Sequence, residues 1–209
     1  MIKTLLAHGS SDSAHGAQVE ALAKHVSNLI GEEVRAAFLS DERLPAGSVV
    51  LPLFLGAGKH LSEDVPTLVA ASGATLLPSL NEYAEQLVTM ACNQLTREST
   101  RIHALFAIYR YSGFEPLVAA IHSANSRCSL VATASLHSEP SLTSVLNRWQ
   151  SDGVGPITVQ PMLLFGGHTL GRLQAMIEDA SATDVLLAPV LSECDGFAAL
   201  IAGCLKAQS

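Results

Sequence analysis

Short continuous apolar runs alternate along the chain with longer stretches whose apolar residues recur every three or four positions. Ile2 to Ala7 reads as a strand, and Val19, Leu22, Ala23, Val26, Leu29 and Ile30 then fall on one helical face. Glu33 to Leu39 reads as a second strand. A polar link, Ser40 to Gly47, leads into Val49 to His60, VVLPLFLGAGKH. This run opens without a polar residue, as a strand covered on both faces does. It breaks into Gly56-Ala57-Gly58, where the backbone can turn tightly and approach a ligand, and ends on Lys59-His60. Leu61, Val65, Leu68 and Val69 continue as a helix. Its start holds Glu63, Asp64 and Pro66, residue types favoured in a first turn. Ala74 to Leu77 makes a fourth strand, and Ala84, Leu87, Val88, Ala91 and Leu95 mark a third helix.

The same order then recurs. Strands are expected at Ile102 to Ile108, Ser129 to Leu136, Ile157 to Leu164 and Val185 to Ala188. Helices are expected at Phe114 to Ala124, from Ser138-Glu139-Pro140 through Trp149, after Gly166-Gly167-His168, and at the end around Phe197 to Leu205. Pro52 matches Pro161, 109 residues on; Ile2 matches Ile102, 100 on; Leu39 matches Leu136, 97 on. The chain is therefore an internal duplication, an α/β fold of two parallel-sheet halves, residues 1–99 and 100–209. The rise from 97 to 109 between the second and third strands is about one helix, which the first half lacks. Only Ser40 to Gly47 bridges that gap, a reach of about 26 Å when extended. The expectation is a first sheet with one thinly covered face, open to a partner or ligand. Two such halves face to face would leave a cleft for a flat ligand.

Candidate chemistry sits at two strand ends. His8-Gly9-Ser10 follows the first strand and Lys59-His60 follows the third. If these strands are neighbours, His8 and His60 leave one sheet edge side by side, where α/β proteins place their sites. Two neutral imidazoles bind divalent iron, cobalt, nickel or zinc and leave positions open for substrate. With an ordinary pKa of about 6.5, histidine also moves protons near neutrality. The plain alternative is a pair of loop histidines with structural hydrogen bonds. His15, His25, His103 and His122 are read that way; His137, opposite Ser40 in the repeat, could face the cleft. The glycine loop is not a nucleotide P-loop, because Leu53 and His60 stand where that pattern needs Gly and Ser or Thr.

Composition narrows the field. Apolar residues make up 48% of the chain, enough for a full core, and its net charge of −7 argues against nucleic acid as a partner. Cys92, Cys128, Cys194 and Cys204 show no zinc spacing and read as reduced thiols. No apolar run approaches the roughly 20 residues that span a bilayer, and the first strand begins at Ile2 without a leader pattern. The expectation is a cytoplasmic protein with no membrane partner, monomeric or homodimeric.

The motifs LLAHGSSDS, VLPLFLGAGKHLSEDVP, SLHSEPSLTSVL and ITVQPMLLFGGHT together resemble the sirohydrochlorin chelatase family, of the cobaltochelatase and ferrochelatase (CbiX-type) class. The resemblance covers most of the chain. It implies two flavodoxin-like halves and an ATP-independent lyase that inserts cobalt or iron, with nickel a further choice, into sirohydrochlorin or a related tetrapyrrole. The metal is then a substrate, and no organic cofactor is expected. His8 and His60 become the catalytic, metal-handling residues. Ser10, Leu55, Gly56, Ala57, Gly58, Lys59 and Arg110 become candidates for holding the macrocycle, with Arg172 a further partner for its carboxylates. The family often has a Glu after the second strand, where this chain reads Ser40-Asp41. In the second half, Ile108 is aligned with His8 and Thr169 with His60, so His168 is out of register. A carrier of tetrapyrrole or metal, without catalysis, is the alternative reading.

Overall fold

Strands form where the short apolar runs lie, and the central ones are covered on both faces. In the computed structural model residues 2–9, 13–98, 103–124, 130–180 and 183–206 are described. The first half runs β1 (Lys3–Ala7), α1 (Ser13–Ile30), β2 (Val34–Phe38), β3 (Val49–Pro52), α2 (Val65–Ala71), β4 (Thr75–Leu76) and α3 (Ala84–Glu98). The second runs β5 (His103–Ile108), α4 (Glu115–Ser123), β6 (Leu130–Ser135), α5 (Leu142–Ser151), β7 (Ile157–Pro161), α6 (His168–Asp179), β8 (Val185–Leu187) and α7 (Phe197–Lys206). The sheets are ordered β2-β1-β3-β4 and β6-β5-β7-β8, and every ladder is parallel. In each, the strand order reverses between the first strand and the third, which makes their carboxyl ends the switch point of a doubly wound sheet.

Several expected boundaries move. The seventh strand ends at Pro161 rather than Leu164. The fifth helix begins after Ser141, not at Ser138. Ser141 Oγ accepts from the Ser144 N–H at 3.3 Å, and Glu139 Oε2 accepts from the Ser141 N–H at 2.8 Å. A serine N-cap satisfies a donor left free at the helix start.

The division of the chain also differs from 1–99 and 100–209. One compact unit comprises Met1–Tyr83 with Gly196–Ser209, the other Ala84–Asp195. Helix α7 packs on α1 and β3, while α3 packs on α4. Lys3, 3% exposed, anchors α7: its Nζ donates to Leu205 O at 3.2 Å and pairs with Glu32 at 3.0 Å. A cation on the last carbonyls of a helix complements its dipole.

The ladders correct the internal alignment. Leu6 lies opposite Ala37 and Pro52, and Ala107 lies opposite Ala134 and Pro161. Leu6 therefore corresponds to Ala107, 101 residues on, and His8 to Tyr109 rather than Ile108. Strands covered on both faces, as β1 and β5 are, carry no alternating mark from which their register can be read.

The first sheet is not left open. Leu44, from the short link, is 5% exposed and packs with Leu6, Ala37, Val50, Val65 and Val69. Its N–H donates to Ser72 Oγ at 2.9 Å, pinning the link to the end of α2. Leu6 and Val50 are both wholly buried. The second half covers the same position with α5, through Leu142, Val145, Leu146 and Trp149.

Candidate metal centre

β1 and β3 are hydrogen-bonded neighbours, so their carboxyl ends deliver His8 and His60 to one place. The imidazole rings meet edge to face, centroids 4.4 Å apart and planes 80° to each other. Their Nε2 atoms are 3.0 Å apart.

Each ring is oriented from behind. His8 Nδ1 lies 2.9 Å from Gly9 O, and His60 Nδ1 lies 2.6 Å from Asp64 Oδ2. A carbonyl and a carboxylate only accept, so both Nδ1 atoms carry the proton and both Nε2 atoms present lone pairs. Two lone pairs 3.0 Å apart repel unless one cation lies between them, a proton or a metal ion. Two nitrogens at right angles on one ion, each bonded at about 2.1 Å, would stand about 3.0 Å apart. The spacing is that of neighbouring ligands on an octahedral ion.

The local sequence explains both orientations. Gly9 has φ +86°, with Phe38 Cβ 3.6 Å from where its own Cβ would sit. The left-handed conformation is the one glycine tolerates, and here it accompanies a carbonyl held against the preceding ring. His60 opens a wide turn, His60–Asp64, in which the Val65 N–H donates to His60 O five residues back. Pro66 follows, with no N–H to supply a tighter bond. The turn places Asp64 one turn beyond His60, and such wide turns recur at functional sites. The sequence marks Asp64 only as a helix-start residue; the spacing H-x-x-x-D on one helical face is the signal that points to its role.

The other candidates divide. His60 and Asp64 are about half exposed, so the pair is open to solvent. Lys59 is 75% exposed and lies 3.6 Å from Glu63. Leu55 is 8% exposed, its side chain in the core, so only its backbone can reach a ligand. Gly56 and Gly58 are not among the glycines with positive φ, so the loop turns without the freedom expected of them. Ser10 lies outside the described residues. Asp41 is committed to its own turn, its Oδ2 accepting from the Phe38 N–H at 2.9 Å. Among the described residues no cluster of three His, Cys, Asp or Glu side chains could hold a metal. Cys92, Cys194 and Cys204 are buried. Burial first, then Glu193 and Asp195, pushes the Cys194 thiol up to about 11. His168, first residue of α6, is exposed. Arg110 is exposed at the end of β5. Among the described residues no helix is long and apolar enough to cross a membrane.

A duplicated, doubly wound α/β chain with paired imidazoles at one switch point defines a class of two-half proteins equipped to hold a divalent cation by few ligands. The CbiX family model matches residues 4–122 and again 109–207, and the chain belongs to that family. Among solved structures it is similar to CbiX, described as the terminal enzyme for biosynthesis of siroheme in denitrifying bacteria. The TM-score is 0.81 at 19% identity, over 100% of both chains. SirB from Bacillus subtilis with Fe3+ matches with a TM-score of 0.78 at 14% identity, over 98% of this chain and 94% of that one. The sirohydrochlorin chelatase SirB from Bacillus subtilis subspecies spizizenii, in complex with cobalt, matches with a TM-score of 0.68 at 14% identity. That match spans 99% of this chain and 92% of the other. No curated protein matches the chain by sequence.

Proposed function

We propose that this protein is a chelatase that inserts a divalent metal, cobalt or iron, into sirohydrochlorin or a close relative without ATP. The observation that carries the reading is the pair of imidazole Nε2 atoms 3.0 Å apart, one just beyond the end of β1 and the other where the loop after β3 enters the wide turn. Membership of the CbiX family and likeness to structures described with iron and with cobalt support it.

The chemistry follows from the pair. Two histidines hold a divalent ion through two positions and leave the rest to water and to incoming pyrrole nitrogens. Two ligands hold weakly enough to pass the ion on. As the ion forms bonds to the macrocycle, two pyrrole N–H protons must leave, and two imidazole lone pairs are released. The same Nε2 atoms that give up the metal can take those protons, so charge and protons balance. Asp64 stabilises the positive charge on His60 in either state, as a carboxylate behind a metal-binding imidazole does. Within the first unit, Lys59 is the candidate partner for the carboxylate arms, and the backbone of Leu55 to Gly58 is the candidate floor.

The test is anaerobic sirohydrochlorin with cobalt or iron, followed by visible spectrum. The protein should speed the change to the metallated spectrum over the uncatalysed rate. A spectral shift on binding without acceleration would make the protein a carrier instead.

A further inference from the structure

The second half keeps the strand-end architecture and changes its chemistry. By ladder register, Tyr109 takes the place of His8 and Arg110 that of Gly9. On the adjoining strand end His137 takes the place of Ser40. Counting on from Pro52 and Pro161, Thr169, Arg172 and Leu173 replace His60, Glu63 and Asp64. Both imidazoles of the metal pair are gone, and the carboxylate behind them has become a buried leucine. Positive charge has entered at two of the exchanged positions, Arg110 and Arg172.

These groups converge. β5 lies between β6 and β7, so its end delivers Tyr109 and Arg110 between His137, beyond β6, and the helix that follows β7 and carries Arg172. The Tyr109 and His137 rings are in contact, centroids 4.4 Å apart and tilted by 48°, with Phe114 6.3 Å from Tyr109 on another side. Tyr109 is 38% exposed, and Arg110, His137 and Arg172 are exposed. Burial, then the charges of Arg172 and Arg110, holds the His137 pKa below its ordinary value. The loops beneath are tied. Ser135 Oγ accepts from the N–H groups of His137 at 3.1 Å and Ser138 at 3.0 Å, and the Tyr111 hydroxyl donates to Thr133 O at 2.9 Å.

Among the described residues neither the Arg110 nor the Arg172 side chain forms an ion pair or hydrogen bond. This holds in a chain with 19 acidic residues against 12 Lys and Arg. Two guanidinium groups whose charges bear on one imidazole, with no ion pair of their own, are an arrangement that an arriving anion relieves. An exposed aromatic ring beside them offers a face for a flat ligand.

We infer that Arg110, Arg172 and His137, around the Tyr109 ring, form an anion site of the second half that takes the carboxylate groups of a flat polycarboxylate. The ligand's identification as a tetrapyrrole rests on the proposed function; the anion site does not.

Metal-free uroporphyrin, a flat octacarboxylate, is the probe, titrated into the intact protein and followed by fluorescence at fixed ionic strength. Arg110→Gln with Arg172→Gln should weaken binding tenfold or more and flatten its salt dependence. Arg148→Gln with Lys206→Gln, which removes the same charge elsewhere, should stay within twofold. Citrate at matched ionic strength should compete poorly. Equal binding by the two double variants overturns the site, and so does an absence of uroporphyrin binding by the unmodified protein. Effective competition by citrate overturns the preference for a flat ligand. Arginine-dependent uroporphyrin binding with no acceleration of metal insertion leaves this site standing and removes the chelatase reading.

Discussion

The two halves have the same strand order and the same ladders, and they diverge at two places. Between the second and third strands, the second half spans one sheet face with α5, whereas the first half plugs the equivalent face with Leu44. At the switch point, the first half presents His8 and His60 with Asp64 behind them, and the second presents Tyr109, Thr169 and Leu173. Both differences lie outside the strands. A parallel ladder constrains strand residues by burial on two faces, while the residues just beyond the carboxyl ends are free to change chemistry. Duplication thus keeps the frame twice and the imidazole pair once.

The largest expected effect separates the halves by function. His8→Ala or His60→Ala should abolish metal insertion, leaving the uncatalysed rate. His168→Ala should cost under tenfold, about 1.4 kcal/mol in barrier terms. All three belong in one insertion assay, with folding checked by circular dichroism. If His168→Ala is as inactive as His60→Ala, the comparison assigns the site to the wrong half.

Next in size is the plug. Leu44→Ala should destabilise the protein by about 2–5 kcal/mol, the usual cost of emptying a buried leucine site. Urea unfolding measures it. A change below roughly 0.5 kcal/mol would mean that Leu44 does not do for the first sheet what α5 does for the second.

Asp64→Asn should weaken cobalt binding by about 10- to 100-fold, the range for losing a partner behind a metal-bound histidine. Isothermal titration reads this, and cobalt absorption should still report imidazole ligation. Unchanged affinity would reduce Asp64 to a helix-start residue.

The smallest effect is the sharpest test of register. Tyr109→His with Thr169→His rebuilds the imidazole pair in the second half and should add a second, weak cobalt equivalent. Ile108→His with Thr169→His should add none, because Ile108 is wholly buried in β5. The reverse result would restore the alignment read from sequence alone.

Much of this was legible in the residues. Apolar runs alternating with helical stripes determined two parallel α/β halves, since those patterns have few other ways to bury themselves. The repeat exposed the missing helix, and the ends of the first and third strands marked His8 and His60. Tertiary structure decided what depends on register and on distant chain. Strands buried on both faces do not encode which residue faces which, so only the ladder could pair His8 with Tyr109. A single leucine in a polar link does not declare itself a plug until the sheet it covers exists. The end helix α7 joins the first unit through contacts such as Lys3 to Leu205, 202 residues apart, which no local pattern records. The orientation of the imidazoles likewise had to wait for the fold. A helical spacing could have pointed to Asp64, but the Gly9 carbonyl turns toward His8 only through a backbone angle, and composition carries no trace of it.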